Sequence, residues 1–197
     1  MSQDNNILEG LSAAQREAVV NYDGPTLIIA GAGSGKTRVL TTRIAYMLAQ
    51  GVDPSSILAL TFTNKAANEL KDRLSAMLGP EAQDVWAMTF HSACCRILRR
   101  DIERLGYSRS FTIYDTSDSE RLMKDIIKEM GLDDKTFPAK YVLNLISREK
   151  DKMIGPDEMM DHVEASGDMR LYQVARAYKR YQVKLKENNA LDFDDII

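Results

Sequence analysis

The segment Thr26-Leu-Ile-Ile-Ala-Gly-Ala-Gly-Ser-Gly-Lys-Thr37 constrains this chain more than any other. A short apolar run ends in a glycine-rich turn. Gly35-Lys36-Thr37 then opens an amphipathic pattern (Val39, Leu40, Ile44, Met47, Leu48) that predicts a helix to about Gln50. Strand, loop and helix in that order are the setting of a phosphate-cradling loop. Glycines let backbone N–H groups close on phosphate oxygens, and the start of a helix favours an anion. Lys36 has the reach for the outer phosphates, and the Thr37 hydroxyl is the Mg²⁺ ligand of the pattern. Ala30, Gly31, Ala32, Gly33, Ser34, Gly35, Lys36 and Thr37 are therefore the candidate triphosphate site, with Lys36 and Thr37 as the catalytic pair. The strict pattern has glycine where this chain has Ala30, a change that costs little if the backbone there keeps a negative φ.

Around this loop, strands and helices alternate. Ser12 with Gln15 three residues on forms a capping box for a helix at about 12–21. Strands are expected at about 26–30, 57–62 and 85–89. The second is a continuous apolar run, as in a strand buried on both faces. Helices are expected at about 64–78 and 91–105. Three such alternations predict an α/β fold with a parallel sheet and packed helices. After Gly106 the pattern changes. Phe111-Thr-Ile-Tyr114 reads as a short strand or extended segment, followed by helices at about 117–130, 138–151, 156–165 and 168–187.

At 197 residues the chain is one large domain or one and a half smaller ones, and 44% hydrophobic residues suffice for a core. No apolar run approaches the length of a membrane span, and the first residues have no targeting character, so a cytoplasmic location is expected. Cys94 and Cys95 are adjacent and read as reduced thiols, at least one of them buried. Residues 1–110 carry 12 Lys/Arg against 11 Asp/Glu, and residues 111–197 carry 14 against 18. The run Arg96, Arg99, Arg100, Arg104, Arg109 is explained on charge alone by a solvated helix face.

Two further segments follow the second and third strands, where α/β sheets place ligands. Thr61-Phe-Thr-Asn-Lys-Ala-Ala67 and Thr89-Phe-His-Ser92 supply aromatic rings beside short polar donors, a combination that holds a nucleic-acid strand by stacking and phosphate hydrogen bonds. Each residue also has a plainer use: Phe62 and Phe90 in a core, Thr63 and Ser92 as helix caps, His91 as a satisfied residue at a helix start.

Five segments, in order and spacing, resemble the PcrA/UvrD/Rep family of superfamily 1 DNA helicases, the PcrA branch most closely. They are Leu11–Gln15, Ala30–Thr37, Thr61–Ala67, Thr89–Ser92 with Ile97–Arg100, and Leu191-Asp-Phe-Asp-Asp195. The resemblance implies a partial RecA-like subdomain over 1–106, an inserted all-helical subdomain over 107–190 and a return at 191–197. It implies ATP and Mg²⁺ as cofactors, and single-stranded and duplex DNA as partners. By resemblance, Gln15 reads the adenine edge, a task that competes with its capping box. Arg38 contacts the nucleotide, and Phe62, Thr63, Asn64, Thr89 and His91 contact DNA. The 3′-to-5′ direction of travel comes from the resemblance alone.

Hydrolysis in such enzymes needs an acidic pair at the end of an apolar strand. Asp194-Asp195 does not qualify, because residues 188–193 are too polar for a buried strand, and Asp192 reads as a helix cap instead. The acidic pair and the transition-state arginines are expected beyond Ile197. This chain is then expected to bind ATP without turning it over, since arginine fingers alone are worth ~10³–10⁵ in rate. Its shortened sheet should leave an unpaired edge. Two other functions remain open at this point: a P-loop kinase of a small metabolite, and a non-catalytic module binding DNA or protein.

Overall fold

The computed structural model describes residues 6–197, apart from the side chain of Glu81. The chain is α/β, with little sheet and many helices. It divides into two compact units, Met1–Ala93 and Cys94–Ile197. No helix among the described residues is long and apolar enough to cross a membrane.

The first unit contains α1 (Ala13–Val20), α2 (Lys36–Ala49), β1 (Leu58–Thr61), α3 (Asn64–Leu78) and β2 (Trp86–Thr89), and α4 (Phe90–Asp101) begins in it. β1 and β2 pair in parallel, Leu58 with Trp86 through Thr61 with Thr89, and α3 is their crossover. That helix buries Ala67, Leu70 and Leu74 on one face, with Leu70 and Leu74 packed against Ile44, Ile57, Ala59, Val85 and Ala87. Among the described residues only one face of the ladder is well covered, so Ala59 is buried while the residue before it, Leu58, is half exposed. The expectation of a strand buried on both faces is corrected accordingly.

The predicted strand at 26–30 does not form. A strand is defined by its partner, and among the described residues no backbone ladder includes this segment. Leu27 is 85% and Ile29 90% exposed. An apolar, β-branched run carries the propensity for a strand, but propensity does not supply the second edge.

The second unit holds the rest of α4, which ends in a 3₁₀ turn (Ile102–Leu105) and Gly106 in a left-handed conformation. β3 (Thr112–Ile113), α5 (Thr116–Glu129), α6 (Ala139–Lys150), α7 (Pro156–Ser166), α8 (Met169–Glu187) and β4 (Ala190–Leu191) follow. α8 is the hub. Its buried stripe Val174, Ala177, Tyr178, Tyr181, Leu185 packs on α5, α6 and α7 around Met123, Ile126, Val142, Ile146, Met159 and Val163. β4 is a correction: residues 188–193 read as too polar for a buried strand, yet Ala190 and Leu191 are buried and pair in parallel with Thr112 and Ile113. Two residues give no periodicity to read, and the partner lies on the far side of four helices in sequence.

Cys94 and Cys95 are free and both half-buried, so neither is the fully buried thiol expected. They pack beside Ile102, Phe111, Leu191 and Ile196, and burial pushes the Cys95 thiol up.

Candidate functional site

Gly33 (φ 75°) and Gly35 (φ 83°) are left-handed, conformations that a Cβ would strain. Ala30 is not among the positive-φ residues, which is why alanine is tolerated there. Gly35 is the N-cap of α2 and supplies no side-chain cap. Among the described residues, the amides of Gly33, Gly35, Lys36 and Thr37 donate to no backbone carbonyl outside regular elements. Unpaired N–H groups at a helix start, with a left-handed residue beside them, form a concave anion receptor. Ala32, Ser34, Lys36 and Thr37 are exposed.

The loop's own carbonyls hold its side chains. Lys36 Nζ donates to Ala30 O at 3.1 Å and to Gly31 O at 2.7 Å. Ser34 Oγ donates to Gly31 O at 2.7 Å. Gln15 divides its amide: Oε1 accepts from Ser12 N–H at 3.0 Å in the capping box, and Nε2 donates to Ser34 O at 2.9 Å. One residue thus caps α1 and touches the phosphate loop at once. Arg38 donates to Glu9 O at 3.2 Å, turned toward the segment before α1. Ser12, Gln15, Ala30, Ser34, Lys36 and Arg43 are among the residues lining a cleft of about 460 Å³, within the usual size of a small-molecule site.

A second cluster lies at the paired ends of β1 and β2. Thr61 and Thr89 are opposite each other in the ladder, so the following residues, Phe62 and Phe90, meet. Their ring centroids are 5.4 Å apart and tilted by 45°. Phe62 is 91% exposed, which removes it from the core. Thr63 caps α3 by accepting from Ala66 N–H at 3.1 Å, and Asn64 and His91 are exposed. Thr89 differs from its neighbours: it is buried, its hydroxyl lies 2.8 Å from Ser92 Oγ and it accepts from Ser92 N–H. Its hydroxyl therefore shapes the turn into α4 and does not face outward.

Sequence reasoning missed a buried ion cluster in the second unit. Lys150 Nζ lies 2.7 Å from both Asp192 Oδ2 and Asp195 Oδ1. Gln182 Nε2 also donates to Asp195 Oδ1, and Asp192 Oδ1 accepts from Asp195 N–H. Burial raises the carboxyl of Asp195, helped by the charge of Asp192 and opposed by Lys150. Burial also opposes ionisation of Asp192, but the charge and hydrogen bond of Lys150, together with the Asp195 amide, outweigh it and hold that carboxyl low. Burial pushes the nearby Tyr178 phenol up to about 12. The signal was present: Lys150 continues the Val142, Ile146 stripe at helical spacing, an odd place for a cation without a partner. The expected cap role of Asp192 is corrected: the closing 3₁₀ turn (Asp194–Ile196) is capped at Phe193 without a side-chain bond, and Asp192 accepts from Asp195 N–H one residue further in.

A sequence profile described as "UvrD/REP helicase N-terminal domain" matches residues 11–197. The chain belongs to this family. Among its relatives, "ATP-dependent DNA helicase PcrA" of Bacillus subtilis (strain 168) is 50% identical over 98% of this chain. Proteins of the same name from Staphylococcus epidermidis and Staphylococcus aureus are 47% and 46% identical over the same share. In each case the match covers 26% of the relative, so this chain spans about a quarter of their length. The UvrD/REP match takes in both clusters of the first unit and the Lys150 node of the second.

Proposed function

We propose that this chain is the ATP-binding and DNA-contacting N-terminal part of an ATP-dependent DNA helicase that moves 3′ to 5′. The carrying observation is the phosphate loop: left-handed Gly33 and Gly35, amides left free at the start of α2, and Lys36 beside them. Membership of the UvrD/REP family and the printed names of the relatives support the helicase reading. In this reading residues 1–106 are a partial RecA-like ATP-binding subdomain, 107–190 an inserted helical subdomain and 191–197 a return. The pairing of β3 with β4, at the two ends of the helical stretch, supports an insertion. We place the protein's work in the cytoplasm.

The residues fit ATP and Mg²⁺. The amides of Gly33, Gly35, Lys36 and Thr37 would hold the β- and γ-phosphates, and Lys36 would exchange the Ala30 and Gly31 carbonyls for phosphate oxygens. The Thr37 hydroxyl would ligate Mg²⁺, which supplies charge neutralisation on the phosphates. Gln15 would meet the base, and Arg38 would contact the nucleotide after leaving Glu9. On the DNA side Phe62 offers a stacking face, with Thr63, Asn64 and His91 beside it, while Thr89 holds the turn that presents them. Hydrolysis by these residues alone is not expected, because Asp192 and Asp195 are committed to Lys150 and Asp194 stands alone at the surface.

The test is binding of labelled single-stranded DNA to the wild-type chain and to Phe62→Ala, by anisotropy at two salt concentrations. The proposal expects weak, salt-sensitive binding, reduced by ~1–3 kcal/mol in the variant. Phosphoryl transfer from ATP to a small acceptor, with no DNA binding, would establish a kinase in its place.

A further inference from the structure

The Tyr181 hydroxyl is the one buried side-chain oxygen or nitrogen among the described residues that has no hydrogen-bond partner. Ser119 and Asp192 flank it without completing a bond. An orphaned buried hydroxyl costs about 1–3 kcal/mol, and a partner for it recovers that cost. Tyr181 lines a cleft of about 190 Å³ whose residues all belong to the second unit. A drug-sized ligand needs ~300 Å³ or more, so this cleft admits a head group and not a nucleotide. Asp115, Glu120, Asp192 and Asp194 also line it, against one cation, Lys140. Asp115 is committed to capping α5 and Asp192 to Lys150. Glu120 and Asp194 hold no ion pair among the described residues. Lys150, beneath Asp192, does not reverse the sign, because it faces two carboxylates. Burial, helped by the charge of Asp192, pushes the Tyr181 phenol up, so the hydroxyl keeps its proton and its oxygen still offers lone pairs. Tyr114 adds an aromatic ring to the lining.

We propose that this cleft is a binding site for a guanidinium group, the head of an arginine side chain or of free arginine. What the cleft lacks is a donor: the Tyr181 oxygen can accept an N–H, and Glu120 and Asp194 carry negative charge with nothing opposite it. A guanidinium brings five N–H donors in one plane, enough for the phenol and both open carboxylates together. Its flat face also stacks on an aromatic ring such as Tyr114. A primary ammonium has three donors and no plane, so it uses the ring and the spread of acceptors less well. A phosphate or carboxylate would meet four acids. The phosphate loop belongs to the first unit, so the site asks for neither nucleotide nor DNA.

The experiment follows backbone amide shifts of the isotope-labelled chain by NMR at fixed ionic strength. The titrants are acetylarginine methylamide, its uncharged citrulline counterpart, free arginine and spermidine. Saturable shifts at Ser119, Glu120 and Asp192 are expected with the arginine amide and not with the citrulline one. Tyr181→Phe and Glu120→Gln should each weaken that binding about tenfold, the effect of one hydrogen bond to a charged group. Tyr181→Phe should melt no lower than the wild type, since the oxygen it removes has no partner in the fold. Tighter binding of the arginine amide than of free arginine identifies a protein side chain as the source, and the reverse identifies the amino acid. Equal shifts with the citrulline compound, unchanged affinity in both variants, or saturation by spermidine and not by arginine overturns the proposal. A lower melting temperature for Tyr181→Phe shows a hydroxyl bonded within the fold, and overturns it too.

Discussion

At the residue scale, exposure and partners separate side chains that sequence treats alike. Phe62 and Phe90 occupy matching positions after two strands, but Phe62 is almost wholly in solvent. Phe62→Ala should therefore leave thermal stability unchanged while weakening single-strand binding, a pairing that a melt and an anisotropy titration check together. Thr63 and Thr89 both read as DNA-contacting residues, yet one caps α3 and the other is buried against Ser92. Lys150 shows the opposite case, a residue with no motif and a large structural role. Its side chain is buried between two carboxylates. Lys150→Met should cost about 3–5 kcal/mol, the effect of stranding buried charge. The sign with pH follows. Without the ammonium, both carboxylates rise in the folded state, so the variant's deficit should be largest at neutral pH and shrink as pH falls and they take up protons. Urea melts of both proteins at pH 7 and pH 4 measure this.

At the element scale, the helices and the parallel pair β1–β2 were legible, and two other stretches of strand were not. α3 and α8 lie within a residue of the expected ranges, because an apolar stripe and a cap are both local. Ladders need partners, which local sequence does not show. Residues 26–30 have the composition of a strand and remain unpaired among the described residues, whereas Ala190–Leu191, passed over as too polar, is buried and paired. Caps carry their own prediction. Asp115 starts α5 with a reciprocal box, accepting from Asp118 N–H at 2.9 Å, and Ser117 Oγ donates to it. The Asp118 amide, then the Ser117 hydroxyl, hold its carboxyl below the ordinary 3.8. A carboxyl lowered on folding contributes stability that is complete above its unfolded pKa and lost as pH falls through the folded one. Asp115→Asn keeps an acceptor without the charge. Its stability should therefore fall less steeply than the wild type's below about pH 4, read from denaturant midpoints.

At the scale of the whole molecule, the candidate site was largely visible in the sequence, since a phosphate loop is contiguous and its glycines are diagnostic. Hidden from sequence were the connections between distant segments: Gln15 on Ser34, Arg38 on Glu9, Lys150 on Asp192 and Asp195. Family membership extends over both compact units, and the relatives are about four times longer. In the proposed function this chain grips nucleotide and strand. In the proposed site, Lys36 and the amides of Gly33, Gly35, Lys36 and Thr37 hold a triphosphate. Calorimetric titration of Mg·ATP into the wild-type chain and Lys36→Ala tests that most directly. Saturable one-to-one binding that Lys36→Ala loses without a change in melting temperature is expected; equal binding by both proteins, or none by the wild type, would contradict the site.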